Sequence, residues 1–152
     1  DAPIDPGDVR AIVFGMGRIG TGAYDALKEN WGADICGVEH APDRVDFNRS
    51  QGRNVILGDA CDTEFWLKLK KDINLELVVL AMPNHHGNVY AARQIRNMGI
   101  KCQVVAIARF PEEVDELSQI GVCAAFNMYQ QAGAGLIQAA METLDDARRI
   151  KT

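Results

Sequence analysis

Short apolar runs of strand length alternate with segments of helical period along almost the whole chain, and that alternation leaves few folds open. The runs are Ala11 to Phe14, Asp34 to Val38, Asn54 to Leu57, Leu77 to Ala81, Cys102 to Ala106 and Val122 to Phe126. Between them Ile19, Ala23 and Leu27 share one helical face, as do Phe65, Trp66 and Leu69, and Val89, Ala92 and Ile95. Strands that take turns with helices pair in parallel, and several of these runs are continuously apolar, as a sheet covered on both faces requires. The expected fold is α/β: a Rossmann-like, doubly wound, mainly parallel six-stranded sheet with helices on both faces. After Phe126 the pattern becomes one long helical segment in which Ile137, Ala140, Met141 and Leu144 form an apolar stripe. The sequence thus divides into a Pro/Asp/Gly-rich linker over 1–8, a nucleotide-binding domain over 9–127, and a C-terminal helical segment over 128–152 expected to pack on the domain or across a dimer.

Composition narrows the function classes. With 152 residues and 47% apolar content the chain can bury a core without disulfides or metals. The net charge of −5, with no long run of Lys or Arg, argues against nucleic acid as a partner. Cys36, Cys61, Cys102 and Cys123 include no C-x-x-C pair and stand mostly among apolar neighbours, so they read as reduced core residues of a cytosolic protein. The longest apolar stretch, "LELVVLAM" from Leu75, is too short to span a bilayer, and no signal-peptide pattern precedes the first strand. The opening "DAPIDPGD" lacks an initiator Met and has the content of a linker, so the chain is either processed or, the favoured reading, an excised domain.

The chemistry centres on "AIVFGMGRIG". Gly15, Gly17 and Gly20 have the G-x-G-x-x-G spacing directly after a strand and at the opening of a helix. In such a turn the first glycine permits the tight bend, the second lets a pyrophosphate approach the backbone, and the third brings helix and strand together. Free N–H groups at the helix start then meet phosphate charge. Glu39 ends the second strand nineteen positions past Gly20, where a carboxylate hydrogen-bonds the adenosine ribose and repels a 2′-phosphate. NAD(H) or a plain adenosine nucleotide such as AMP is therefore expected over NADP, with Arg44 nearby as the one residue that favours the opposite. Met16, Arg18 and Ile19 within the loop, and His40 beside Glu39, complete the expected nucleotide contacts.

Other candidates lie at the same carboxyl edge of the sheet. In "LGDACD" Asp59 and the backbone of Ala60 are placed to read adenine, while Asp62 or Thr63 is placed to cap the next helix. In "AMPNHHG" Met82 reaches the edge, Asn84 reads as a helix cap, and His85 and His86 as a solvated face without a metal-ligand partner. Arg18 is placed to pair with a phosphate or to sit in solvent. Arg109 is placed to meet a phosphate, an acidic effector or a neighbouring subunit, with a salt bridge to Glu112 or Glu113 as the simpler reading.

No catalytic residues are expected. Tyr24 and Lys28 have the Y-x-x-x-K spacing of short-chain dehydrogenases, but they fall in the helix after the glycine motif, away from any nicotinamide. "NRS" at Asn48 is a glycosylation sequon on paper only. Hydride transfer needs a second layer of protein to hold substrate and exclude water, and the chain ends soon after the sixth strand.

"VFGMGRIG", "GVEHAPDR", "GRNVILGDACD" and "IARFPEEVDELSQIGV", in that order, resemble the cytoplasmic regulatory domain of potassium channels and transporters known as the RCK, KTN or TrkA-N domain. Within that family the chain is most similar to the C-terminal domain of bacterial glutathione-regulated potassium-efflux antiporters, from about Val9 to Leu144. The resemblance implies a dimeric sensor of NAD(H) or AMP, linked to a membrane transporter domain of the same parent chain on the cytoplasmic face of the inner membrane. It places phosphate on Gly15, Gly17, Arg18, Ile19 and Gly20, ribose on Glu39, and adenine on Asp59 and Ala60. Glutathione-gated relatives carry A-R-A-R after the fifth strand, where this chain has Ala106, Ile107, Ala108 and Arg109, which weakens the case for glutathione. Two other readings compete: the cofactor-binding half of an NAD-dependent dehydrogenase, and a redox sensor of transcription, for which no DNA-binding helix pair is visible.

Overall fold

The computed structural model describes residues 2–32 and 34–151; Asp1 of the expected linker, Ala33 and Thr152 of the terminal segment lie outside the described residues. Strands β1 (Ala11–Phe14), β2 (Ile35–Glu39), β3 (Val55–Leu57), β4 (Leu77–Leu80), β5 (Gln103–Ala108) and β6 (Ala124–Asn127) alternate with helices α1 (Arg18–Trp31), α2 (Pro42–Ser50), α3 (Thr63–Lys68), α4 (His85–Asn97), α5 (Pro111–Gln119) and α6 (Met128–Lys151). Every pairing is parallel and the strand order is β3-β2-β1-β4-β5-β6. The chain reverses direction across the sheet between β1 and β4, the place where α/β folds open a crevice beyond the carboxyl ends of their strands.

The two faces of β1 explain why its run has no polar residue. Ile12 and Phe14 point into one core with Val78, Leu80, Phe65, Trp66 and Ile95. Val13 points into the other, with Met16, Tyr24, Ile35, Val45 and Val55. Phe14, Phe65 and Trp66 meet with ring centroids 5.1 to 6.0 Å apart, which fixes α3 over the sheet.

Several expectations shift. On α1 the core face is Gly20 and Tyr24 with Leu27 beside them, not the Ile19 stripe; Ile19 turns outward over the carboxyl edge. The N-terminal stretch touches the domain at two points: Ile4 N–H donates to the Lys68 carbonyl at 2.8 Å, Lys70 N–H donates to the Ile4 carbonyl at 2.9 Å, and Pro6 is buried. Cys36 is buried in the core, where burial pushes its thiol up to about 12, and Cys102 is half-buried against the same core. Cys61 and Cys123 are exposed, the first in the turn before α3 with its sulfur beside Gly87 of α4, and the second just before the edge strand β6. Helix α6 buries no residue against its own domain.

Candidate functional site

The loop between β1 and α1 is held by its glycines in three different ways. Gly15 has φ +92°, and a Cβ there would meet the Met82 nitrogen at 2.9 Å. A Cβ on Gly20 would overlap the Gly15 carbonyl, so α1 packs on β1 at a distance only glycine allows. A Cβ on Gly17 would meet nothing within 4 Å. Gly17 is also the N-cap of α1, no side chain caps that end, and no acidic residue stands in its first turn. The partial positive charge of the helix start is thus directed into open space.

Glu39, at the end of β2, is buried (3% exposed) and its carboxylate is held by the backbone. Met16 N–H donates to Oε1 at 3.0 Å, and Ala41 N–H donates to Oε2 at 2.9 Å. His40 Nδ1 and Arg44 Nη1 stand 3.2 and 3.7 Å from Oε2. One side chain therefore closes the glycine loop onto β2 and still keeps acceptor capacity toward the cleft.

That cleft consists of two adjoining hollows that share Gly15, Glu39, His40 and Pro83. One, of about 300 Å³, is lined by Val38, Gly58, Asp59, Ala60 and Met82. The other, of about 230 Å³, is lined by Gly17, Arg18, Ile19, Arg44, Arg109 and the first residue of α6, Met128. Its three arginines are exposed, and they gather positive charge at one edge of a net acidic chain. Of the residues expected from the sequence, only Met16 and Gly20 do not face the cleft; both are buried behind it.

The caps fall as expected: Asp62 accepts from Glu64 N–H, and Asn84 from His86 N–H, each at 3.0 Å. Asp59 Oδ1 accepts from Cys61 N–H, which shapes the turn lining the larger hollow. Tyr24 lies away from the cleft, its hydroxyl accepting from Asn54 N–H, beside a separate cavity of about 510 Å³ that it lines with Lys28 and Asp34.

Two charged positions differ from expectation. His85 is not solvated: its Nε2 lies 2.6 Å from Glu116 Oε1 and its Nδ1 3.9 Å from Glu113 Oε2, because α5 packs against the start of α4. This hydrogen bond holds the Glu116 carboxyl below the ordinary range. Arg109 makes no ion pair with Glu112 or Glu113 among the described residues; Glu113 instead accepts from the Arg109 backbone N–H at 2.8 Å, leaving the guanidinium at the cleft.

Two buried amides escaped the sequence reading. Asn88 clamps the Met82 peptide, accepting from its N–H at 3.2 Å and donating to its carbonyl at 2.9 Å. Asn48 reaches the glycine loop from α2, donating to the Met16 carbonyl at 3.3 Å. Its signal is its spacing: three positions after the core residue Val45, it falls on the buried face of α2. Among the described residues no cluster of His, Cys, Asp and Glu has the arrangement to hold a metal ion, and no helix is long and apolar enough to cross a membrane.

The family model described as the TrkA-N domain matches residues 11–128. The glutathione-regulated potassium-efflux system protein KefC of Salmonella typhimurium is 28% identical over 119 residues, which cover 78% of this chain and 19% of that protein. The chain thus spans about a fifth of the length of the curated relatives it matches. The Kef C-terminal domain of Shewanella denitrificans in its AMP-bound form superposes with a TM-score of 0.71 at 19% identity, covering 88% of this chain and 80% of that one. The GsuK channel bound to NAD superposes with a TM-score of 0.68 at 15% identity, covering 83% of this chain and 23% of that one.

Proposed function

This chain belongs to the TrkA-N domain family, and we propose that it is a regulatory domain that binds an adenosine nucleotide, AMP or NAD(H), and controls a potassium-efflux pathway carried by the same parent protein. The observation that carries the reading is the uncapped start of α1 above Gly17, in register with the buried carboxylate of Glu39. Phosphate is bound by the free N–H groups of the helix start and by Arg18, Arg44 and Arg109; ribose hydroxyls donate to Glu39; adenine lies in the hollow lined by Asp59, Ala60 and Met82. The AMP-bound Kef domain and the NAD-bound channel among the structural neighbours support this class of ligand.

The domain recognises its ligand without turning it over. Its cleft is an open crevice of two modest hollows; His40, Asp59 and Cys61 line it exposed to water, and the buried Glu39 carboxylate is taken up by the backbone of the loop. Control follows instead from geometry: Met128 opens α6 and lines the hollow that also contains Arg109. A ligand seated on Arg109 favours one placement of α6 over others, and only such a difference between states can move a gate. The exposed stripe of α6 meets a second copy of the chain.

Calorimetric titration of the protein with AMP, NAD, NADH and NADPH tests the reading. Saturable binding of AMP or NAD(H), with NADPH at least tenfold weaker, is the expected result. Failure of all four to bind removes it.

A further inference from the structure

We infer that Asn48 is a positioning residue for the phosphate-binding loop, acting through the Met16 peptide and without touching the ligand. The inference rests on the proposed nucleotide site and says what holds that site ready. The Met16 peptide is gripped on both sides by buried side chains: its N–H donates to Glu39 Oε1 at 3.0 Å, and its carbonyl accepts from Asn48 Nδ2 at 3.3 Å. The two side chains come from different elements, β2 and α2, so the middle of the G-x-G turn is fixed against both. The Met16 side chain is buried too, 1% exposed and packed so closely on Gly37 that a Cβ there would meet its sulfur at 2.7 Å.

Asn48 is itself fully engaged. Its Nδ2 also donates to the Arg44 carbonyl at 2.8 Å, and its Oδ1 accepts from Arg53 Nη1 at 3.1 Å. Arg53 in turn makes a bidentate pair with Asp25 on the outer face of α1, through Nε at 2.9 Å and Nη2 at 2.8 Å. The chain of contacts from Asp25 through Arg53 and Asn48 to Met16 ties the helix, the loop and α2 into one unit. An amide 1% exposed is costly to bury unless it is paired, and here both its amide hydrogens and its oxygen have partners, which makes the network rigid. A purely packing role at this position beside Val45 is met by any aliphatic side chain; holding a carbonyl in the turn requires a donor. The turn must stay in place for Gly17 and the helix start to meet phosphate without first being ordered, and that ordering cost is what Asn48 removes.

Wild type, Asn48→Ala and Asn48→Asp are titrated with AMP and with adenosine, which lacks the phosphate. Asn48→Asp keeps the shape and the acceptor for Arg53 but loses the donor to Met16; if Asn48→Ala fails to fold, it carries the test, and Arg53→Met, which frees the Asn48 amide to turn, is its companion. The expected result is an AMP affinity about tenfold lower with adenosine affinity unchanged, the loss of one buried hydrogen bond appearing only in the phosphate-dependent part. Equal AMP affinity in wild type and variants overturns the inference, and so does an equal loss for both ligands, which marks a merely structural role. If wild type binds neither ligand, the proposed function falls by itself. Amide exchange then decides: exchange at the Met16 N–H, which is bonded to Glu39, about tenfold faster in the variants than in wild type supports the bracket, and unchanged exchange overturns it.

Discussion

A methyl group on Gly20 would stand 1.6 Å from the carbonyl oxygen of Gly15, two backbone segments that no side-chain rearrangement can separate. Gly20→Ala must therefore push α1 off β1, at a cost of about 1–3 kcal/mol or more. Gly17→Ala meets open space. The pair separates packing from ligand approach: thermal unfolding is expected to show a large fall in Tm for Gly20→Ala and little change for Gly17→Ala, while calorimetry shows AMP binding lost in the second protein.

Glu39 poses a harder case, because its carboxylate both closes the loop and faces the cleft. Glu39→Ala leaves the buried Met16 N–H without its acceptor, which costs about 1–3 kcal/mol of stability whatever the ligand does. Affinity loss in that variant alone says nothing specific about ribose. The two roles part when the ligand is changed instead: wild type should prefer AMP to 2′-deoxy-AMP by about tenfold, the value of one charge-assisted hydrogen bond. In Glu39→Ala the preference should vanish, and a preference that survives removes the ribose assignment.

Arg18 and Arg109 are exposed at the cleft and carry no ion pair among the described residues. Each substitution to alanine is expected to weaken AMP binding about fivefold to tenfold and to flatten its dependence on salt, with Tm unchanged. Titrations at low and at physiological ionic strength check both effects. Adenosine should bind all three proteins alike.

Acid sensitivity follows from three carboxyls. Glu116 is depressed by its hydrogen bond from His85, Asp25 by Arg53 and Glu76 by Arg10. Each binds its proton less readily in the folded chain than in the unfolded one, so each contributes stability that is present above the ordinary carboxylate range and is lost as pH falls through its folded value. Urea unfolding followed from pH 6 to pH 3 should show a declining midpoint, with a shallower decline in Glu116→Gln. An identical slope in that variant would remove the His85–Glu116 pair from the account.

What the sequence made legible follows from range. Strands were readable because a sheet covered on both faces demands uninterrupted apolar runs, and β1 and β4 meet that demand. The glycine loop was readable because much of its constraint is local: Gly15 holds φ +92° in its own backbone, and a side chain on Gly20 would strike the carbonyl of Gly15 in the same loop. Asn48 and the His85 pair were not, since their partners lie far off in sequence: Asn48 reaches Met16 across 32 positions and His85 reaches Glu116 across 31. A polar residue on a helix reads as solvated until the fold brings its partner, and only Asn48 carried a hint, its spacing from Val45. Pro/Asp/Gly content likewise says nothing of the Lys68 carbonyl that accepts from Ile4 N–H.

Helix α6 is the element whose sequence and surroundings disagree most. Leu136, Ile137, Met141 and Leu144 lie along a helix of 24 residues with 48–70% of each exposed, and the helix has no buried residue. A stripe of that length left in water is unfavourable by about 25 cal/mol for each Å² of apolar surface, and burial against a second copy relieves it. Gly133 and Gly135 leave open space at the helix surface, so a partner helix can approach closely there. Sedimentation velocity is expected to find a dimer for the wild-type chain and a monomer for Met141→Glu. The domain's own unfolding midpoint measured on the monomer should be little changed, because Met141 touches no part of the core. A wild-type monomer at micromolar concentrations, or a Met141→Glu protein that still dimerises, means that some other element covers the stripe, and the route from Arg109 through Met128 to a neighbouring subunit then has no receiver.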